Sequence, residues 1–273
     1  MHLIDGIKKE EQDGYTVYYI EKISDEFKQE MRTRLSAICH GVDQAQSKSK
    51  LYSYKSTIKE FIIRYKDSTR SSEERKKGMI GELIVHMILE IEGKYITASP
   101  FFNMEERSFK KGYDVALFEP ILEELWITEV KSGSKQKAQK NASSAIQGLI
   151  NTAKNDLMDR LSNPRTSLWL NALNAAKVSM SNNNSQKDVV IKLLEQCGED
   201  ALDDNIQSDQ FNVILSSALF YTLSDPFEKE VVQKKYNKII KENIFKKIII
   251  MAIQKNTFEA VYDFLESELA NEK

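Results

Sequence analysis

The 273-residue chain has two cysteines, three histidines, four prolines and ten glycines, and its longest purely apolar run is only Ile248 to Ile253. A membrane helix needs roughly 20 consecutive apolar residues, so none is expected. The chain opens Met-His-Leu-Ile-Asp, without the basic region and apolar stretch of an export signal. Cys39 and Cys197 lie far apart, and His2, His40 and His86 form no Cys/His pair with zinc-finger spacing. A disulfide scaffold and a zinc finger are therefore excluded, and a reducing cytoplasm is the expected compartment. An excess of one charge is missing too, since 39 Lys+Arg against 41 Asp+Glu give a formal charge of −2. Nucleic acid could not be held by global charge, only by a local patch or through a partner.

What is present is a globular composition, with 41% hydrophobic residues spread along the chain and 29% charged residues in near balance. Tyr15 to Ile20 has the pattern of a short strand. Asp25 to Cys39 and Thr57 to Lys66 carry apolar residues at helical spacing. Ser71 and Glu74 form an S-x-x-E capping signal for a helix that runs to about Glu90 and is apolar on nearly every side. Short β-branched and aromatic runs at Tyr95 to Ala98, Tyr113 to Phe118 and Leu125 to Val130 predict three successive strands. Lys135 to about Leu161 returns to helical spacing, followed by helices at Leu168 to Lys177 and Val189 to Cys197. Strands are then expected at Phe211 to Tyr221 and Phe245 to Ile253, and helices at Phe227 to Glu242 and Thr257 to Leu269. The pattern predicts one α/β domain, a mixed central sheet flanked by helices. Residues 1–70 would form an N-terminal packing layer, 71–162 the central motifs, and 163–273 a helical excursion with the C-terminal strands and helices.

The informative stretch runs from Gly112 to Lys131. If 119–124 connect two antiparallel strands, Phe118 faces Leu125 and Asp114 falls opposite Glu129. Alternation then puts Asp114, Glu129 and Lys131 on one face with Ala116, Phe118, Leu125 and Ile127. Tyr113, Val115, Leu117, Trp126, Thr128 and Val130 take the other. Glu-x-Lys occurs at Glu26, Glu74, Glu92 and Glu129, but only the last copy ends an apolar strand with an Asp on the strand before it. Charges buried there need partners or a metal. Mg²⁺ (or Mn²⁺), which prefers oxygen ligands, could be held by Asp114, Glu129 and the Val130 main-chain carbonyl. Lys131 could orient or deprotonate an attacking water and steady charge on phosphorus, which is the chemistry of phosphodiester hydrolysis. The alternative is a structural ion pair capping the sheet.

Helix with an acidic residue, strand, strand with Asp, strand with Glu-x-Lys, then helix resembles the core of the PD-(D/E)xK, restriction-endonuclease-like nuclease superfamily. GELIVHMILE (Gly81 to Glu90), KGYDVALF (Lys111 to Phe118) and LWITEVKSGS (Leu125 to Ser134) resemble more narrowly the HamA family of Hachiman-type anti-phage systems. The resemblance implies metal-dependent DNA cleavage, restrained by and coupled to a partner helicase. Asp114, Glu129 and Lys131 match its motif, and Glu82 matches the acid that the preceding helix lends to the metal site. Lys110, Lys111, Lys135, Lys137 and Lys140 would border that site as a phosphate track. His86 reads as packing, and Asp156, Asp159 and Arg160 as surface residues. The alternatives are an inactive nuclease-like module that binds DNA or docks a helicase, and a self-contained restriction or repair endonuclease. A docking surface for the partner is expected at Tyr15 to Ile20 with Phe61 to Tyr65, or at Phe245 to Leu269.

Overall fold

The β-branched and aromatic runs pair through their backbones into one mixed sheet. In the computed structural model, which describes residues 1–67, 72–102, 113–163, 166–183 and 185–271, its strands are β1 (His2–Ile4), β2 (Ile7–Gln12), β3 (Tyr15–Ile20), β4 (Ile96–Thr97), β5 (Val115–Glu119), β6 (Glu124–Gly133), β7 (Asn212–Phe220) and β8 (Lys247–Lys255). They lie in the order β1-β2-β3-β8-β7-β6-β5-β4. The four inner strands β3, β8, β7 and β6 are parallel, and antiparallel pairs flank them. Parallel strands need cover on both faces, and β7 is accordingly buried at every residue.

The cover comes from nine helices among the described residues: α1 (Asp25–His40), α2 (Val42–Gln46), α3 (Tyr54–Lys66), α4 (Glu73–Glu92), α5 (Ala142–Ser162), α6 (Thr166–Ser179), α7 (Lys187–Leu202), α8 (Lys229–Ile240) and α9 (Glu259–Asn271). One face packs Ile127, Val213 and Ile250 against Ile146, Leu157, Trp169, Val190 and Val232 of α5 to α8. The opposite face packs Val115, Trp126, Ile214 and Ile253 against Met31, Phe61, Ile84 and Leu265 of α1, α3, α4 and α9. None of the described helices is long and apolar enough to cross a membrane.

Several boundaries differ from the sequence expectation, each for a local reason. Residues 1–70 are not merely a layer beside the sheet, because β3 pairs with β8 and carries β2 and β1 outward as further strands. The segment IKKEEQ of β2 is too polar to announce itself. Helix α4 is capped by Ser72, whose hydroxyl accepts the Arg75 N–H, while Ser71 lies outside the described residues. Residues 135–141 are not helical. Asn141 caps α5 through a reciprocal box with Ser144, which starts the helix at Ala142, later than the periodicity suggests. Most apolar residues of the segments expected to dock a partner are core, while Ile63 of α3 and one side of α9 stay exposed. β3 is an inner strand, Phe61 and Tyr65 stack against each other under 10% exposed, and β8 lies inside the sheet. Burial accounts for most of their apolarity.

Candidate metal and catalytic site

The β5–β6 hairpin follows the expected register, with Phe118 opposite Leu125, and its last pair is Val115 with Thr128. Ala116 turns its backbone toward β4, where its carbonyl accepts the Ala98 N–H and its N–H donates to Ser99 Oγ. Val115 and Leu117 therefore turn theirs toward β6. The next rung would join Val130 to Tyr113, but the chain bends at Asp114. The Val130 N–H donates instead to Asp114 Oδ2, at 2.8 Å. Because N–H and C=O of one strand residue point to the same side, the Val130 carbonyl also faces the space where β5 has ended. The bend has a second effect: Tyr113 packs on Trp169, on the α5 to α8 face, and not on the face assigned to it by alternation.

Glu129 and Lys131 project toward α5, as alternation requires, and Ser132 toward α4. Glu129 is fully buried. Its Oε1 accepts from Lys131 Nζ at 2.7 Å and its Oε2 from Arg160 Nη1 at 3.0 Å. Lys131 makes a second ion pair, with Asp156 Oδ2 at 2.7 Å. Burial first, and then the Asp114 charge, push the Glu129 carboxyl up to about 7, against the opposing pull of Arg160 and Lys131. Burial pulls the Lys131 ammonium down, yet the Glu129 and Asp156 carboxylates outweigh it and leave its pKa raised. Lys131 therefore carries its proton at neutral pH.

The structure thus brings together Asp114, Glu129 and Lys131. It adds two residues that the sequence pattern places on the surface, Asp156 and Arg160. Arg160 and Asp156 stand four apart on the flank of α5, beside the inward stripe of Ala153, Leu157 and Leu161. An acid and a base one turn apart next to an apolar stripe was the available signal. Asp159 keeps to its own helix end, accepting from Asn163.

Glu82 is not gathered with them. It is half-buried on α4, on the other side of the sheet, and among the described residues no three His, Cys, Asp or Glu side chains stand close enough to hold a metal. His86 is fully buried on that same helix, with Phe101 edge-on at 5.8 Å. Lys135 donates to the Gln139 carbonyl at 2.9 Å and lies over the Tyr221 ring, while Lys137 and Lys140 are exposed in the loop before α5. Lys110 and Lys111 lie outside the described residues.

The sequence matches the HamA family over residues 2–269. The chain belongs to the HamA family. It is accordingly a Hachiman-type defence protein. No curated protein matches the chain.

The donor set of this HamA chain suits a hard divalent cation. Asp114 and Glu129 offer carboxylate oxygens and Val130 a carbonyl, the ligand types preferred by Mg²⁺ and Mn²⁺. The raised Glu129 carboxyl, buried first and then repelled by Asp114, is a group whose charged form a divalent ion would stabilise.

Proposed function

We propose that this HamA chain is a metal-dependent deoxyribonuclease subunit, built on a PD-(D/E)xK core, that acts in the cytoplasm with a helicase partner. The observation that carries the reading is Glu129. A fully buried carboxylate, its pKa raised first by burial and then by its neighbour Asp114, and held by Lys131, is costly to keep for packing alone. Asp114, Glu129 and the Val130 carbonyl would hold Mg²⁺ or Mn²⁺, which when bound supplies Lewis acidity and lowers the pKa of a water. Lys131, fixed between Glu129 and Asp156, would steady negative charge on the phosphate. Arg160 and Asp156 are positioning residues for Glu129 and Lys131.

A non-specific nuclease would attack its own chromosome, and a charge of −2 gives this chain little general attraction to DNA. Both facts fit a subunit delivered and released by a motor protein. The test is Mg²⁺-dependent plasmid degradation with and without the product of the adjacent gene. Glu129→Gln and Lys131→Ala should each lose at least about a hundredfold in rate, the scale of removing one preorganised group. Cleavage at the wild-type rate by both variants would sink the reading. A second reading rests on the same ion pairs. Lys131 and Arg160 already occupy both Glu129 oxygens, as in a structural network, so an inactive docking module is the alternative, and a chain that never cleaves would favour it.

A further inference from the structure

Helix α8 lies beside α5 on the same face of the sheet as Glu129 and Lys131, anchored by Val232 and Ile239. From Val231 to Lys241 it reads VVQKKYNKIIK, four lysines and no acid. With Val232 and Ile239 inward, helical spacing puts Lys235, Lys238, Lys234 and Lys241 on one continuous face. That face begins at the groove shared with α5 and turns outward from it. Lys154 of α5 reaches into the groove and pairs with Glu242 Oε2 at 2.7 Å, and Lys235 is half-buried there. Lys234, Lys238 and Lys241 are exposed. Burial first, and then the Lys238 and Lys154 charges, lower the Lys235 pKa, while Glu242 alone opposes them.

These like charges are crowded together in a chain whose total charge is −2. Like charges at this spacing repel one another, and a polyanion sharing the surface would relieve that repulsion. The outward side of α5 between this ridge and the site carries Gln147, Asn151, Thr152 and Asn155, uncharged side chains that can donate to a phosphate backbone, with the exposed Asp159 as the one acid among them.

We propose that the lysine face of α8, with Lys154, is the DNA-backbone track of this protein, holding a duplex across α5 toward Glu129 and Lys131. This rests on the nuclease reading for the direction of the track, but binding is measurable apart from cleavage. The ridge carries no base-reading geometry, so contact is to phosphates and independent of sequence.

The test uses the full chain and a fluorescent DNA duplex of mixed sequence, titrated at several salt concentrations without divalent metal. The variant is Lys234→Gln/Lys238→Gln/Lys241→Gln, confined to exposed positions, with an unchanged melting temperature as its folding control. Wild type should bind with a salt slope that falls by about three in the variant, one per phosphate contact removed. Affinity should drop roughly tenfold or more at low salt. Equal affinity and slope in wild type and the triple variant, or no duplex affinity in wild type at low salt, would overturn the proposal. Retained DNA binding with loss of an acidic protein partner in co-purification would overturn it in favour of a protein-docking ridge. Full cleavage by Glu129→Gln would instead sink the nuclease reading and leave the binding result intact.

Discussion

Glu129 holds a carboxylate where water cannot reach it, and this sets a measurable pH signature. Its carboxyl is pushed up to about 7, above the ordinary 4.5 of the unfolded chain. The folded state therefore holds this proton more tightly, and the stability it contributes is present below 4.5 and lost as pH rises through 7. Wild type is expected to lose melting temperature between about pH 5 and about pH 8 relative to Glu129→Gln, which cannot ionise. Adding Mg²⁺ at the higher pH should recover part of the loss in wild type and nothing in the variant. Scanning calorimetry at both pH values, with and without the ion, checks it. Parallel pH curves for the two proteins would mean that Lys131 and Arg160 already compensate the charge in full. The Asp156 and Arg160 pair beside an apolar stripe signals a helix flank that meets something, but nothing in the sequence names what it meets. Arg160 meets Glu129 across 31 positions of sequence.

The hairpin was the most legible element, because alternation and a short connection fix its register together, and Phe118 does face Leu125. Its end was less so. Alternation makes Asp114 a strand residue opposite Glu129, but it leaves the ladder and accepts the Val130 N–H with its side chain. No periodicity predicts where a side chain will replace a backbone partner. The start of α5 was missed for a related reason, since Asn141 with Ser144 is a weaker cap signal than the apolar stripe that follows it. Helix α4 was read as buried, and its approach to β6 depends on Gly81. A Cβ there would stand 1.8 Å from Ser132 Oγ and 2.7 Å from Ser132 Cβ, one residue beyond Lys131. Gly81→Ala is expected to cost about 1–3 kcal/mol through overpacking. Ser132→Gly in the same chain should recover most of it. Urea unfolding of the single and double variants gives the answer, and an additive double variant would remove this contact from the account.

At the scale of the whole molecule, the residues of the site occupy the middle of the chain, yet the sheet that carries them is closed by its two ends. β3 pairs with β8 from Tyr15 with Ile250 to Ile20 with Lys255. Ile7, Val17, Tyr18 and Ile20 are each under 3% exposed, so the first strands supply core as well as hydrogen bonds. The natural edges are β1, with three residues, and β4, with two. Edges that short offer little to another sheet. Removing residues 1–24 would leave every site residue in place and bare β8, whose Ile250, Met251, Ala252 and Ile253 form a flat apolar edge with unpaired backbone groups. Such an edge templates aggregation. The shortened chain is therefore expected to be insoluble, or to lack a cooperative melt, and to show no DNA cleavage. Expression of residues 25–273 followed by sedimentation and thermal unfolding tests this. A soluble monomer melting cooperatively near the wild-type temperature would show that β4 to β8 form a self-sufficient unit, with the N-terminal strands an appendage to it.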